Sequence, residues 1–304
     1  MSSPAGPKRS RAGSVDLDPP RPAVVEAVTR ALAEDLLPLG DLTAALVPAT
    51  VTARVAVVSR AVGVVAGRAC ALEAFHQIDS TLEVAWRIGD GGAVVPGDRV
   101  AEVIGSLRSI LSAERTVLNF LGHLSGVASL TRRYVDAVEA ANPATRVLDT
   151  RKTTPGLRAL EKAAVRAGGG HNHRGSLSDA VLVKDNHLAG LSIGEAVTRA
   201  KDLWPGRMVE VECDHLAQVD EAVTAGATVI MLDNMSLERV AGCVAQLRAD
   251  GVDTLVEVSG GVDLEAAPKL AIAGADLISV GALTHSAPVL DLGFDLAPHP
   301  GGNN

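Results

Sequence analysis

Five short apolar runs in the second half of the chain each stop on a polar residue or a glycine. They are VLVKDN ending at 186, VEVECD at 214, VIMLDN at 234, LVEVSGG at 261 and LISVGA at 282. Between them, apolar residues recur at helical spacing over 193–203, 216–225, 237–247 and 264–273. Strands this short and apolar suit burial on both faces, and parallel neighbours need a crossover long enough to hold a helix. RVLDTRK at 146–152 supplies an earlier strand. The alternation predicts a sheet that closes, or nearly closes, into a barrel. No long repeat accompanies it, which argues against a solenoid.

The first half does not keep that rhythm. Apolar residues recur helically from 23 to 37 (Val24, Val25, Val28, Leu32, Leu36), and Gly40-Asp41 and Pro48 then mark a loop. β-Branched residues over 53–67, divided by Gly63, predict a hairpin or two strands. A helix is expected over 68–78, and strands near 81–88 and 99–105 flank the turn-rich GDGGAVVPGD. A long Ala/Leu-rich helix follows over 109–141, with a break expected near Gly122 or Gly126, because an interior glycine costs about 1 kcal/mol against alanine. These elements make an α/β domain over 22–127, an open sheet with helices on one face. The barrel then occupies 128–286, and 287–304 is expected to rejoin the first domain. Residues 1–21, rich in Ser, Gly, Pro and charge, read as a disordered tail without the apolar core of a signal peptide. Its KRSR stretch reads as a solvated basic run.

Composition excludes several roles. Hydrophobic residues make up 47% but aromatics only 2%, so Val, Leu, Ala and Ile must fill the interior and no stacking surface is left for single-stranded nucleic acid. The formal charge of -8 disfavours DNA as a partner. The most apolar stretch, TARVAVVSRAVGVVAGR, is broken by Arg54, Arg60 and Arg68 and predicts no membrane span. Three cysteines (Cys70, Cys213, Cys243) form no CxxC and cannot all pair, which suits a reducing, cytoplasmic setting.

The strand ends carry the chemistry, because the mouth of such a barrel is built from them. Arg151, Lys152, Lys184, Glu212, Asp233, Ser259-Gly260-Gly261 and Gly281 all stand there, and GGGHNHRG at 168–175 adds His173 and Arg174. An acidic chain that gathers cations and glycines in one place suits a multiply charged anion: arginine grips carboxylate or phosphate through a fork, and lysine adds a compact charge. The plainer alternative is a set of surface ion pairs with Glu161, Asp179 and Asp185. His171 and His187 fit loop or supporting hydrogen bonds better than chemistry. Glu212 and Asp233 suit magnesium, ribose hydroxyls or developing positive charge at a sugar carbon, with Glu210 on the same strand face. Two glycine turns on successive strands, SGG and Gly281 with His285 close by, suit a phosphate monoester. HExxH, a zinc cysteine cluster, GxSxG and GxxxxGKS/T are absent. A Schiff base on Lys184 remains an alternative.

The stretch DTRKTTPGLRALEKAAVRAGGGHNHRGSLSDAVLVKDNH, residues 149–187, closely resembles the quinolinate phosphoribosyltransferase family. The likeness continues through EDLLPLGDLT at 34–43, ERTVLNFLGHLSG at 114–126, EVE at 210–212, MLDN at 231–234, SGG at 259–261 and SVGALTH at 279–285. It therefore covers almost everything after the tail. It implies an N-terminal mixed α/β, sandwich-like domain and a C-terminal incomplete α/β barrel. It also implies a homodimer with sites completed across the interface, and higher homo-oligomers in some members. The implied reaction joins quinolinate to phosphoribosyl pyrophosphate, with Mg2+, giving nicotinate mononucleotide, pyrophosphate and carbon dioxide in NAD biosynthesis.

By motif, Arg151, His173, Arg174 and Lys184 resemble the quinolinate-binding cations, and Arg115 would enter from the neighbouring subunit. Lys152 matches the position for the phosphoribosyl pyrophosphate chain, beside Thr150. Glu212 and Asp233 would serve ribose, Mg2+ or the oxocarbenium. Ser259, Gly260, Gly261 and Gly281 resemble the 5-phosphate cradle, with Ala282 and His285 next to it. The departures are Ala163, where many members carry an aromatic, and Val258, at a commonly polar position; both imply altered packing rather than altered chemistry.

Overall fold

The computed structural model describes residues 17–296, so most of the tail expected over 1–21 and the end of 287–304 lie outside the described residues. Helix α1 (Arg21–Leu36) buries Val24, Ala27, Val28 and Leu32, a stripe at helical spacing. Next come β1 (Thr52–Ser59), β2 (Gly63–Val64), α2 (Arg68–Ile78), β3 (Glu83–Trp86), β4 (Ala93–Val94) and β5 (Arg99–Ser106). Strands β1, β5 and β3 form an antiparallel sheet, while β2 pairs with β4 in a separate ribbon. Residues 53–67 are thus two strands in different sheets rather than a hairpin.

Helix α3 (Leu107–Ala141) runs unbroken through 35 residues, so the break expected at Gly122 or Gly126 does not occur. Those glycines admit another segment instead. A Cβ on Gly126 would lie 2.1 Å from the carbonyl oxygen of Pro288, and one on Gly122 would lie 3.1 Å from that of Leu290. The C-terminal chain crosses the helix there, and the amide of Leu290 donates to the Gly122 carbonyl at 2.9 Å.

The remaining elements are β6 (Arg146–Leu148), α4 (Arg158–Ala167), β7 (Val181–Val183), α5 (Asp185–Leu188), α6 (Ile193–Leu203), β8 (Val209–Cys213), α7 (Leu216–Thr224), β9 (Val229–Asp233), α8 (Leu237–Ala249), β10 (Leu255–Ser259), α9 (Ala266–Ile272), β11 (Leu277–Ser279), α10 (Ala282–His285) and β12 (Leu292–Leu296). Helix starts follow local chemistry. At α6, the Ser192 hydroxyl accepts from the Glu195 amide at 3.1 Å while the Glu195 carboxylate accepts from the Ser192 amide at 2.8 Å.

The six parallel strands are ordered β6-β11-β10-β9-β8-β7. That is chain order wrapped round a circle and cut between β6 and β7, an incomplete barrel. At the cut, the His171 amide donates to Val147 at 2.9 Å and its carbonyl accepts from Asp149 at 3.1 Å, covering the free edge of β6. Strand β12 returns to the first sheet, antiparallel to β1. With both edges of β1 taken, β2 must pair elsewhere. Among the described residues no helix is long and apolar enough to cross a membrane.

Candidate active site

The carboxyl ends of the barrel strands surround a cavity of about 360 Å³. The β6 side contributes Thr150, Arg151 and Lys152, and the loop after α4 contributes His173 and Arg174. Leu182 and Lys184 come from β7, Glu212 from β8, and Met231, Asp233 and Asn234 from β9. Ser259, Gly260 and Gly261 follow β10, and Ser279 ends β11. One hollow touching all six strand ends requires the sheet to curl round it.

The cations stand close together and partly unanswered. Burial, and then the charge of Arg151, hold the Arg174 guanidinium below its usual range. Nε of Arg151 is buried without a hydrogen-bond partner. Lys184 is paired with Glu212. Two of the three expected surface partners, Asp179 and Glu161, make their hydrogen bonds elsewhere. Asp179 caps the turn at Gly175 and Ser176, at 2.7 and 3.0 Å. Glu161 is buried, where it meets His123 at 2.8 Å and accepts from the Thr154 amide at 3.1 Å.

The three glycines before His171 serve packing. A Cβ on Gly168 would lie 2.5 Å from the Ala128 carbonyl, and one on Gly170 would lie 2.7 Å from Thr131, so only a bare backbone lies this flat on α3. Gly169 turns with φ of 89°. The loop is then pinned by Asp149, fully buried, which accepts from the His173 amide at 2.9 Å and from Asn172 at 2.5 Å and pairs with Lys162. Lys162 also donates to the His173 carbonyl at 2.8 Å. Burial pushes Asp149 up and Lys162 down, each against the partner's attraction. The pair is held by its surroundings as much as by its charges.

Opposite, Gly260 adopts φ of 100°, and a Cβ there would lie 2.3 Å from the Asn234 side chain. The Asn234 amide donates to the Ser259 carbonyl at 3.0 Å, joining the β9 and β10 turns. Gly261 faces open space. Gly281, Ala282 and His285 do not line the cavity. A Cβ on Gly281 would lie 3.1 Å from Lys152 and 3.2 Å from His285, so this turn backs the Lys152 side chain. Arg115 also stays off the wall: it is exposed on α3. Its neighbours Ser112 and Thr116 hold Asp41 and Asp35 at 2.9 and 3.3 Å, which sets the segment carrying exposed Leu37, Leu39, Leu42 and Leu46 beside it.

Two family descriptions match this chain: "Quinolinate phosphoribosyl transferase, C-terminal domain" over residues 127–295 and "Quinolinate phosphoribosyl transferase, N-terminal domain" over 41–125. The chain belongs to the quinolinate phosphoribosyltransferase family. It is 40% identical over 278 residues to the nicotinate-nucleotide pyrophosphorylase (carboxylating) of Mycobacterium leprae (strain TN), covering 90% of this chain and 97% of that protein. A probable enzyme of the same name from Bacillus subtilis (strain 168) is 41% identical, over 84% of this chain and 88% of that one. The solved nicotinate-nucleotide pyrophosphorylase of Francisella tularensis superposes with a TM-score of 0.87 at 38% identity, over 92% of this chain and 98% of that one. The chain is therefore an enzyme of a pentosyl-transferring, decarboxylating family.

Leu182, Met231, Asn234 and Ser279 also line the cavity, beyond the residues that the strand ends point to. Three carried a legible signal. Leu182, Met231 and Ser279 each stand two residues before a strand-end group (Lys184, Asp233, Gly281), so strand alternation turns them to the same side. Asn234 had only its place beside Asp233 in MLDN.

Proposed function

We propose that this chain transfers phosphoribosyl from phosphoribosyl pyrophosphate to quinolinate, with loss of carbon dioxide, in NAD biosynthesis. One observation carries the reading: four cations from three separate segments, Arg151, His173 with Arg174, and Lys184, share a cavity with Glu212, Asp233 and the Ser259–Gly261 turn. A planar dicarboxylate answers that cation set, and the apolar Leu182 and Met231 suit its ring.

Arg151, His173, Arg174 and Lys184 bind the two carboxylates and aim the ring nitrogen at the anomeric carbon. The C–N bond forms as the C–O bond to pyrophosphate breaks, and Glu212 and Asp233 stabilise the positive charge that builds on the sugar. Lys152, backed by Gly281 and with its carbonyl held by Thr284 at 2.8 Å, meets the pyrophosphate. The amides of the Ser259–Gly261 turn hold the 5-phosphate. The adjacent carboxylate then leaves as carbon dioxide, its electron pair stays on the ring carbon beside the cationic nitrogen, and that carbon takes a proton.

Glu212 and Asp233 are oxygen donors on the cavity wall, and they do not join a third donor in a closed cage among the described residues. That fits Mg2+ held by one or two carboxylates together with substrate phosphate and water. So bound, it would neutralise charge on the departing pyrophosphate.

The working form in this reading is a homodimer. Arg115, absent from its own cavity, sits beside exposed leucines. A second hollow of about 650 Å³ leads from Arg151, Arg174 and Lys184 along β7 to exposed Leu177, Leu203 and Trp204. A partner's α3 region seated there would bring Arg115 to the substrate. Three buried, unpaired cysteines suit the cytoplasm.

Incubation with quinolinate, phosphoribosyl pyrophosphate and Mg2+ should yield nicotinate mononucleotide and pyrophosphate in equal amounts, and nicotinate should not replace quinolinate. Equal turnover of nicotinate would overturn the dicarboxylate assignment. Arg115→Ala and Lys184→Ala should each abolish most turnover, and mixing the two inactive variants should restore part of it. No recovery after confirmed subunit exchange would count against Arg115 crossing between subunits.

A further inference from the structure

Below the cavity floor, on the inner side of His173, lies a pair of buried carboxyl groups that the reaction above does not use. Nε2 of His173 turns inward, 2.9 Å from Glu210 on β8 and 3.5 Å from Glu257 on β10. Ser279 on β11 donates to Glu257 at 2.5 Å. Both carboxyl groups are buried, at 0% and 1% exposure. Two further charged groups hold the His173 backbone: Lys162 on α4, bound to its carbonyl, and Asp149 after β6, bound to its amide.

Two ionised carboxylates here would put a net negative charge directly under a site built for anions. They would also leave a polar atom unanswered, because Glu210 Oε1 is buried without a partner. No donor hydrogen reaches that oxygen unless the neighbouring carboxyl carries one. A hydroxyl on Glu257 can supply it, since the Glu257 and Glu210 carboxyl groups are in side-chain hydrogen-bond contact beside His173.

We propose that Glu257 is a positioning residue that holds a proton against Glu210, so that the pair balances the His173 imidazolium with a single negative charge and the floor does not repel an anionic substrate. The proposal rests on the dicarboxylate reading for its functional consequence, but not for the protonation itself. The acid chemistry agrees. Burial, followed by the charge of Glu210, pushes the Glu257 carboxyl up to about 8. Burial disfavours a charged His173, yet the bond to Glu210 and the negative charge around the ring favour it, and the imidazole is raised. When Glu257 ionises, a second negative charge appears beneath the ligand.

Two measurements test this separately. In the ligand-free protein, infrared difference spectra should contain a protonated-carboxyl band at about pH 6 that fades towards about pH 9 and is missing from Glu257→Gln. Quinolinate affinity, measured by calorimetry, should weaken about three- to tenfold over the same range, the size expected for one added charge near the ligand. Glu257→Gln should flatten that slope, because it cannot ionise. Ser279→Ala, which removes a bond favouring the ionised form, should move the slope to higher pH.

A Glu257 carboxyl already ionised at about pH 6 overturns the proposal, as does a Gln variant that keeps the wild-type slope or a stoichiometric metal ion bound by His173, Glu210 and Glu257. If wild-type protein binds no quinolinate while the infrared band behaves as stated, the substrate reading fails and the proton assignment stands.

Discussion

Two layers of charge sit at the top of the barrel, and they are offset by two residues along the chain. The upper layer contains Arg151, Glu212 and Lys184, with the Lys184 side chain 40% exposed; the lower contains Asp149, Glu210 and Glu257, each no more than 1% exposed. Strand alternation puts Glu210 under Glu212 and Glu257 under Ser259. Glutamates two residues apart on one strand thus do opposite work. The lower groups are held by buried partners, Asp149 by Lys162 and the His173 amide and Glu210 by the His173 ring, and so fix the His173 loop and the barrel interior. The upper ones lie along a cavity wall and keep capacity for a ligand. Burial, rather than residue identity, separates holding the fold from holding the substrate.

The sharpest way to break this contrast is to remove one lower partner. Lys162→Met leaves Asp149 buried without its cation and takes the donor from the His173 carbonyl. Losing one member of a buried pair costs about 3–5 kcal/mol. Thermal unfolding should fall steeply; a variant as stable as wild type would mean that Asp149 does not depend on Lys162.

The Glu257 carboxyl should show in stability as well. Its ordinary value is 4.5, and in the folded protein it lies at about 8. The unfolded chain releases this proton near the lower value while the folded chain keeps it to the higher one. Its contribution to stability is therefore complete below the lower value and is lost as pH rises through the upper one. The melting temperature of Glu257→Gln relative to wild type should accordingly rise between about pH 5 and about pH 9. A constant difference would place the raised carboxyl elsewhere.

Smaller still is the effect of crowding the loop that links the layers. Gly168→Ala sets a methyl against the Ala128 carbonyl at 2.5 Å, and overpacking of this kind costs about 1–3 kcal/mol. Since the loop carries His173 and Arg174, the KM for quinolinate should rise with it. A destabilised variant with unchanged KM would separate the glycines from the site.

Much of this was legible in the sequence, and what was not has physical reasons. The helices over 68–78 and 193–203 are legible to the residue, because helical periodicity is local. The parallel strands were legible because each ends on a polar residue at regular spacing. Glu161 looks like a surface partner of the cations in the sequence, yet it is buried against His123 and the Thr154 amide, since nothing local marks a carboxylate that α3 will cover. Gly122 and Gly126 suggested a break, because the strand-ward chain at 288–290 that needs their bare backbone lies more than a hundred and sixty residues away. The site's upper layer was found through strand ends. Of the lower layer, Glu210 was noticed only as a neighbour of Glu212, and Asp149 and Glu257 were not singled out: a buried charge at a strand interior reads as exposed until its partners are known.

The smallest expected effect on stability is also the most discriminating between the layers. Lys184 forms an ion pair with Glu212, as Lys162 does with Asp149, so a count of salt bridges would make the two lysines equivalent. They differ in solvent. With the Lys184 side chain 40% exposed against 7% for Lys162, water screens the upper pair, and exposed pairs contribute about 0–1 kcal/mol. Removing Lys184 leaves Glu212 at a cavity wall where water replaces the lost partner, whereas Asp149 has no such replacement. Lys184→Ala should thus unfold within a degree or two of wild type, about the shift that a fraction of a kcal/mol gives in a chain of this size. Its turnover should nevertheless fall by about a hundredfold or more, the loss seen when a charge-stabilising group is taken from a reacting centre. A large fall in melting temperature for Lys184→Ala, matching that of Lys162→Met, would mean that both pairs hold the fold and that the two layers are one.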